Sequence, residues 1–386
     1  MSLAQQTRIA RAENSNGVVA LTWSDGAEQR LHPMWLREQA PDADTRDPIT
    51  GQRLLDAWTL PLDLTVSSVH VDQGDALDLT FSDGHRTRYA AADLRAALLG
   101  DNAEGALLAP GQQDWRVADD PRSEAELAVL EQNPAALLEA LQSLHRFGFL
   151  LVRGLPVEME GIEGFARLIG PLRETNWGRL ADVKALPQAF DLTMTPRALE
   201  AHADNPYREP VPGYVLLHCL VNNAEGGDST ITDGFAAALA LRERDPEGFD
   251  TLTRTRPKFR YVDEDTVLES EGPLIELDAA GRLKQVRLSN RTDCIDALAP
   301  EVLEHYYRAR RAFTDIVNDA AFQLRFKLQP GDMLVMDNYR LLHGRSAYRP
   351  GSGHRHMRQG YMDRDAVTSR RMILGKIVVR RAAQPG

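Results

Sequence analysis

Asp337-Asn-Tyr-Arg-Leu-Leu-His343-Gly-Arg345 places a histidine and an arginine shortly after an apolar run. The preceding Asp332-Met-Leu-Val-Met336 predicts a buried strand that ends at a turn, and Arg355 lies on the next extended run. Far upstream stands His202-Ala-Asp204, whose two polar side chains share one face if the segment is extended. Two histidines and one carboxylate can hold Fe(II) on one face and leave the opposite face open. The pattern therefore indicates an oxygenase.

The His-x-Asp pair alone is a weak signal, because His70-Val-Asp72 repeats it within the same chain. An isolated pair of this kind is more often a surface hydrogen bond or part of a turn. The strand and turn before His343, together with the arginine that follows, favour a metal site over that reading.

Composition and charge exclude several classes of protein. The 386 residues are 43% hydrophobic and 26% charged, which is typical of a globular enzyme with one large and one smaller domain. A net charge of -11 gives no field to attract nucleic acid. No run approaches the roughly 20 apolar residues of a membrane span, so we expect no membrane partner and a cytoplasmic location. Cys219 and Cys294 both lie in segments that predict buried, reduced thiols.

Turns and apolar runs divide the chain into two domains. Residues 1–120 read as short strands and turns, and a passage rich in Gly, Asp and Pro, from Pro110 to Pro121, marks the boundary. Residues 121–386 start with a helix for which Ser123 and Glu126 predict a capping box. Strands alternate with turns beyond it and helices are set apart, so the pattern favours an α+β sheet sandwich or barrel over a parallel sheet.

Several familiar motifs do not occur. No Gly-x-Gly-x-x-Gly follows a predicted strand, no Walker loop appears, and no Cys-x-x-Cys pair exists. The sequence gives no support for a nucleotide, a dinucleotide or a structural zinc site.

At the residues quoted above the chain resembles the Fe(II)- and 2-oxoglutarate-dependent oxygenases of the taurine dioxygenase superfamily, and within it the gamma-butyrobetaine hydroxylase group. The similarity covers roughly residues 125 to 378, and Pro33-Met-Trp-Leu-Arg-Glu38 resembles the small domain of that group. It implies a double-stranded β-helix (jelly-roll) catalytic domain with flanking helices, preceded by a small mostly β domain. The matching sequence motifs are His202-Ala-Asp-Asn-Pro-Tyr-Arg208, Leu216-Leu-His-Cys219, Gly226-Gly-Asp-Ser229, Asp233-Gly-Phe235, Asp337-Asn-Tyr-Arg-Leu-Leu-His-Gly344 and Arg355-His-Met.

The resemblance also assigns roles to single residues. His202, Asp204 and His343 would be the iron ligands, and Arg355 would hold the distal carboxylate of 2-oxoglutarate through a bidentate pair. Ser229 is a second candidate beside that carboxylate, with a simple turn residue as the alternative. Oxygen is the other co-substrate that the family uses.

The residues expected to bind the organic substrate differ from those typical of the family. Trp177 and Tyr361 fall at positions of the aromatic cage for a trimethylammonium group, whereas Met194 replaces an expected tyrosine, so the cage is expected to be incomplete. Asn290 and Arg291 match the segment that faces the anionic end of the substrate, and Arg197 adds a nearby cation unless it is a solvated loop residue. The residues assigned to the substrate are Trp177, Met194, Arg197, Asn290, Arg291 and Tyr361.

These assignments favour a hydroxylase of a small zwitterionic acid such as gamma-butyrobetaine. A trimethylaminoethylphosphonate, a taurine-like compound or another oxyanion is the alternative substrate, and a non-catalytic binding protein on the same fold is the remote one.

The small domain differs from that of relatives in which cysteines after the Trp-Leu-Arg motif bind structural zinc. Here that stretch reads Gln39-Ala-Pro-Asp-Ala-Asp-Thr45, and only His85 remains as a possible ligand, so no structural zinc is expected. The domain is expected to serve packing at a homodimer interface, as is usual in this group. His218 lies in an apolar strand, which predicts a hydrogen-bonded core histidine rather than a ligand.

Overall fold

The computed structural model describes residues 8–15, 17–99, 106–184 and 195–382. Contacts between Cα atoms divide the chain into two compact units, Met1–Asn102 and Ala103–Gly386. Trp115 is buried and packs edge-on against Phe149, with ring centroids 5.6 Å apart, so the segment around it belongs to the second unit. The boundary predicted near residue 120 therefore falls inside the second unit. Across the described residues, no helix is both long and apolar enough to cross a bilayer.

The first unit is built from two antiparallel three-stranded sheets in the orders β1-β2-β3 and β4-β5-β6. Side chains alternate along each strand, so that Leu21 and Trp23 are buried while Thr22 between them is more exposed. The elements are β1 (Ile9–Ser15), β2 (Val18–Trp23), β3 (Glu28–Leu31), α1 (Pro33–Glu38), β4 (Val66–Asp72), β5 (Ala76–Phe81), β6 (Arg86–Ala90) and α2 (Ala91–Leu99).

A polar cluster lies beside α1 in this unit. His85 Nε2 is 3.0 Å from Asp42 Oδ2, and the Thr45 backbone amide donates to Asp42 Oδ1 over 3.0 Å. Arg37 donates to Thr45 Oγ1 and to Asp83, each over 3.0 Å. The one residue that the sequence left as a possible zinc ligand, His85, is thus hydrogen-bonded to a carboxylate.

The second unit is organised around a six-stranded sheet in the order β7-β8-β19-β11-β21-β9 and a four-stranded sheet in the order β10-β20-β12-β18. Two smaller sheets, β14-β13-β17 and β15-β16, lie beside them. Its strands are β7 (Glu124–Glu126), β8 (Phe149–Arg153), β9 (Leu180–Lys184), β10 (Leu199–His202), β11 (Tyr214–Asn222), β12 (Ser229–Asp233), β13 (Lys258–Val262), β14 (Val267–Glu271), β15 (Ile275–Leu277), β16 (Leu283–Val286), β17 (Asp293–Cys294), β18 (Gln323–Phe326), β19 (Met333–Asp337), β20 (Leu341–Arg345) and β21 (Arg355–Met362).

Helices cover the outer sides of the two large sheets. One hydrophobic core packs α4, α5 and α9 against the six-stranded sheet, and another packs α6, α7 and α8 beside the four-stranded sheet. The helices are α3 (Leu127–Gln132), α4 (Pro134–Phe147), α5 (Ile162–Ile169), α6 (Gly234–Arg244), α7 (Pro246–Arg254), α8 (Pro300–Val317) and α9 (Arg364–Ala382).

A third core lies between the two large sheets and explains the apolar sequence of β11. Val215 and Cys219 point into this core together with Ile231 of β12, whereas Tyr214 and Leu216 point to the helices on the other side. Both faces of the strand are thus buried, which requires a nearly continuous apolar run. The result is a mixed arrangement of helices and sheets, as the sequence predicts at the level of α+β.

Two details of the sequence prediction are wrong. Ser123 does not cap a helix, because its hydroxyl accepts from Ser143 and residues 124–126 form a short strand; Asn133 caps α4 instead. Cys294 is exposed, because β17 is a two-residue strand at the edge of its sheet, while Cys219 is buried as predicted.

A buried ion pair fixes the start of β20. Arg340 and Asp233 are both inaccessible to solvent, and the guanidinium donates to both carboxylate oxygens over 2.9 and 2.6 Å. The Arg340 guanidinium also donates to the backbone carbonyls of Arg146 and Gln113. These hydrogen bonds offset the cost of burying the ion pair. The strand that carries His343 is therefore anchored to the end of β12.

Candidate metal centre and adjoining cavities

His202 and His343 face each other across two paired strands. They are direct partners in the antiparallel register of β10 and β20, and their ring centroids are 4.5 Å apart. His202 Nδ1 lies 2.7 Å from the carbonyl oxygen of Glu200, to which it donates when it carries the proton. That hydrogen bond leaves Nε2 of His202 with its lone pair available to a ligand.

Asp204 completes the cluster two residues after His202. Its Oδ1 is 3.4 Å from His202 Nε2 and 3.5 Å from His343 Nε2. One ligand atom from each of the three residues lies within 4.8 Å of the others, which makes them a group that can hold a metal ion. Two imidazoles and a carboxylate are the donor set of non-haem iron oxygenases.

Asn338 fixes the backbone of Asp204. The Asp204 amide donates to Asn338 Oδ1 over 2.8 Å, and the Asn338 amide group donates to the carbonyls of Asp204 and Pro212 over 2.9 and 3.0 Å. Asn338 lies in the predicted turn and is 1% exposed, so from this turn it acts as a buried clamp on the backbone of Asp204. Its position directly after a buried strand was the available signal.

The second oxygen of the Asp204 carboxylate has different partners. Gln359 donates from its side-chain amide to Asp204 Oδ2, and the Tyr361 hydroxyl donates to the same oxygen over 3.1 Å. Sequence reasoning missed Gln359 altogether. It assigned Tyr361 to the substrate, whereas the structure also brings its hydroxyl to the metal centre.

The protonation states suit a metal. Burial lowers the pKa of His343 to about 4, so its imidazole is neutral at physiological pH. Burial alone would raise the pKa of Asp204, but the nearby His343 and His202 hold it below its usual value. Neutral imidazoles and an ionised carboxylate are the forms that bind a divalent cation.

A small cavity of about 50 Å³ adjoins this centre and is lined by His202, His343, Ser229 and Arg355, among others. Arg355 is 7% exposed, and its Nε has no hydrogen-bond partner within the described ranges. Burial, and then the proximity of Arg345, lowers its pKa to about 10, so it remains a cation. A buried cation with an unsatisfied N–H favours an anionic ligand in the cavity.

A larger cavity of about 690 Å³ opens on the other side of Asp204. Of the predicted substrate residues, Trp177, Arg291 and Tyr361 line it. The sequence missed Tyr207 and Tyr261, which also line it.

Three aromatic rings meet at this cavity. Tyr261 lies edge-on to Trp177 at 5.3 Å and stacks on Tyr207 at 5.1 Å between ring centroids. The guanidinium carbon of Arg208 lies 5.1 Å from the centroid of Trp177, so this ring already contacts a cation of the protein. The aromatic wall is therefore built partly from a strand, β13, that the sequence did not connect with the site.

The remaining predicted residues are placed elsewhere. Arg197 is exposed and does not line the cavity, and Asn290 is exposed and accepts from Arg310 over 3.2 Å. Met194 lies outside the described residues. His218 is buried as predicted, but neither ring nitrogen has a hydrogen-bond partner in the described part of the chain, and burial lowers its pKa to about 4.

Sequence comparison gives two matches to known families. Residues 110–361 match the taurine catabolism dioxygenase TauD, TfdA family, and residues 10–95 match the gamma-butyrobetaine hydroxylase-like N-terminal family. The gamma-butyrobetaine dioxygenase of Pseudomonas sp. (strain AK-1) is 33% identical over 95% of this chain and 96% of its own length. The mitochondrial trimethyllysine dioxygenase of Mus musculus is 29% identical over 91% of this chain and 84% of its own length.

A solved structure from Burkholderia xenovorans, assigned as an alpha-ketoglutarate-dependent taurine dioxygenase, has a similar fold. It is 17% identical and superimposes with a TM-score of 0.50 over 65% of this chain and 90% of that chain. At this identity the likeness concerns the fold alone.

Proposed function

This chain belongs to the TauD, TfdA family of dioxygenases, and on that premise we propose that it hydroxylates a small zwitterionic acid with a quaternary ammonium group, with gamma-butyrobetaine as the leading candidate. The reaction class is that of a 2-oxoglutarate-dependent dioxygenase. The observation that carries the proposal is the convergence of His202, Asp204 and His343 beside two cavities, one with a buried arginine and one with an aromatic wall.

The residues present fit Fe(II). His202 and His343 would hold it through Nε2 and Asp204 through Oδ1, because these are the atoms that converge. When bound, the iron supplies oxygen activation at the expense of 2-oxoglutarate, which is converted to succinate and carbon dioxide as the substrate is hydroxylated. The protein keeps the His343 imidazole neutral by burial, which lowers its pKa, and fixes the Asp204 carboxylate through Asn338, Gln359 and Tyr361.

Arg355 is the proposed anchor of 2-oxoglutarate. Its guanidinium lines the small cavity next to the histidines, and a planar fork of N–H donors matches a carboxylate. Ser229 lines the same cavity and is 4% exposed, so its hydroxyl is the second proposed contact.

The larger cavity is the proposed substrate site. Trp177, Tyr207 and Tyr261 offer aromatic faces for a quaternary ammonium group, each worth about 0.5 to 2 kcal/mol when well placed. Arg291 lines this cavity together with Asp204, so it is the proposed partner of the substrate carboxylate near the metal. The names of the two relatives support this choice, since gamma-butyrobetaine and trimethyllysine each carry a trimethylammonium group.

The oxyanion alternatives are not favoured. A phosphonate or sulfonate would be favoured by a second cation, Arg197, beside Arg291, but Arg197 does not line the cavity. A non-catalytic binding protein is also disfavoured, because His202, Asp204 and His343, the proposed metal ligands, line one cavity together with Arg355, which supports a catalytic site.

We further propose a jelly-roll arrangement for the two large sheets, a homodimer and a cytoplasmic location. The core shared by the facing sheets supports the first. Exposed Ile49, Leu54, Trp58 and Leu62 in the first unit support a protein contact. The free cysteines Cys219 and Cys294 fit a reducing compartment.

Substrate-dependent succinate release tests the proposal. Gamma-butyrobetaine should stimulate release far more than 5,5-dimethylhexanoate, in which carbon replaces the charged nitrogen at nearly the same shape. Trimethylaminoethylphosphonate and taurine complete the panel. Equal or better turnover of 5,5-dimethylhexanoate, whose head group is uncharged, or of taurine, would overturn the quaternary ammonium assignment.

A further inference from the structure

The outer carboxylate oxygen of Asp204 belongs to a hydrogen-bonded triangle on β21. The Gln359 side-chain amide donates to Asp204 Oδ2 and, over 2.8 Å, to the oxygen of the Tyr361 hydroxyl. That hydroxyl donates to Oδ2 over 3.1 Å. Gln359 and Tyr361 are two residues apart on one strand, so their side chains share a face of the sheet and reach the same atom.

The chemistry of the three groups sets the direction of these bonds. An ionised carboxylate only accepts hydrogen bonds, so the amide nitrogen rather than the amide oxygen of Gln359 faces Asp204. Tyr361 is 6% exposed and its proton has this one oxygen as its acceptor within the described residues. Two donors therefore converge on Oδ2, while Oδ1 faces the imidazoles of His202 and His343 at 3.4 and 3.5 Å.

We infer that Gln359 and Tyr361 are positioning residues. Each donates a hydrogen bond to Oδ2 of Asp204, and together they leave Oδ1 as the only oxygen of this carboxylate that faces the metal. This inference rests on the proposed metal role of His202, Asp204 and His343. A carboxylate that turned to offer both oxygens would occupy one more coordination position, and the chemistry needs open positions for co-substrate and oxygen.

The placement of Gln359 adds a second consequence. Gln359 and Asp204 line both the small and the large cavity, so the triangle forms part of the wall between the two. Tyr361 contributes its ring to the larger cavity and its hydroxyl to the metal ligand. A residue that the sequence assigned to the substrate cage thus acts on the metal centre through Asp204.

The affinity of the protein for a metal ion shows whether Tyr361 acts on Asp204 through its hydroxyl or serves only as an aromatic ring in the larger cavity. The apoprotein is titrated with Mn(II), and the free aqueous ion is measured by electron paramagnetic resonance. Tyr361→Phe keeps the ring and removes only the donor, and Gln359→Leu removes the other donor at similar volume. Loss of contacts that orient a ligating carboxylate typically weakens metal binding ten- to a hundredfold, so each variant should bind Mn(II) about tenfold more weakly.

Tyr261→Phe is the matched control. It removes a hydroxyl from a ring of the same cavity, but that hydroxyl donates to Asp263 and not to Asp204. Its Mn(II) affinity should equal that of the wild type. Circular dichroism on the same samples identifies a variant that fails to fold, and Tyr361→Phe, the smaller change, then decides the outcome.

The possible results are distinct. Weaker Mn(II) binding by Tyr361→Phe, with Tyr261→Phe unchanged, supports the inference. Wild-type affinity in Tyr361→Phe and Gln359→Leu overturns it and leaves the proposed function intact. A wild-type protein that binds no Mn(II) overturns the proposed function, and the inference with it.

Discussion

A carboxylate meets histidine in both units of the chain, but the two clusters are built differently. In the first unit Asp42 is 3.0 Å from His85 and also accepts from the amide of Thr45. In the second unit Asp204 Oδ1 lies 3.4 and 3.5 Å from the Nε2 atoms of His202 and His343.

The difference distinguishes a structural cluster from a functional one. The carboxylate of the first unit has its oxygens bound by donors of the protein, so its interaction ends within the fold. The second cluster brings three ligand atoms together beside cavities of about 50 and 690 Å³, and donors bind the carboxylate oxygen that points away from the histidines. Both clusters place a carboxylate beside a histidine, and the direction of the hydrogen bonds to that carboxylate separates them.

The largest expected effect is on turnover in His343→Ala. Removal of one of three converging ligand atoms should abolish substrate-dependent succinate release, because the remaining pair cannot keep the metal in place. His85→Ala alters the other cluster and should retain turnover. Wild-type succinate release by His343→Ala would remove His343 from the ligand set.

Arg355→Gln should raise the KM for 2-oxoglutarate about a hundredfold. The change removes charge-assisted hydrogen bonds worth about 3 kcal/mol, and each 1.4 kcal/mol corresponds to tenfold in affinity. Arg349→Gln is the control, because Arg349 is an exposed residue paired with Glu225. An unchanged KM in Arg355→Gln would assign the anchor to another cation.

Trp177→Leu should raise the KM for gamma-butyrobetaine about fivefold, since one cation–π contact is worth about 1 kcal/mol. The measurement is the ratio of KM values for gamma-butyrobetaine and 5,5-dimethylhexanoate in wild type and variant. Only the KM for gamma-butyrobetaine, which has the cationic head group, should rise. A parallel rise for both compounds would show that the ring acts through shape alone.

The smallest effect is expected in the first unit. Burial would raise the pKa of Asp42, but its polar neighbours Thr87, His85 and Thr45 lower it to about 2. A carboxyl group with a lowered folded-state pKa stabilises the fold above its unfolded value, near 3.8, and loses that contribution as the pH falls towards 2.

Asp42→Asn should therefore cost about 1 kcal/mol at pH 7 and much less near pH 2.5, as measured by urea unfolding at both values. Equal losses at the two pH values would show that the charge of Asp42 does not contribute.

The sequence predicts the three residues that the structure brings together as a candidate metal site, because they belong to two local motifs, a His-x-Asp pair and a histidine after a buried strand. The buried strand that precedes the turn before His343, β19, is also predictable, because its apolar run has the required length. Asn338 and Gln359 escaped prediction, since a polar residue in a strand or turn does not reveal which distant atom it binds. Tyr261 escaped for the same reason, because only tertiary packing brings β13 to Trp177.

Exposure was the other source of error. Arg197 and Asn290 lie near the right positions in the sequence, but their side chains face solvent rather than the cavity. Position along the chain limits where a side chain can be, whereas packing decides which way it points.

Anaerobic addition of Fe(II) and 2-oxoglutarate shows whether the histidine–aspartate cluster and Arg355 form one binding site. The wild-type protein should develop a weak visible charge-transfer band that is absent in His343→Ala and retained in His85→Ala. No band in the wild-type protein, together with no heat of 2-oxoglutarate binding in calorimetry, would contradict the account.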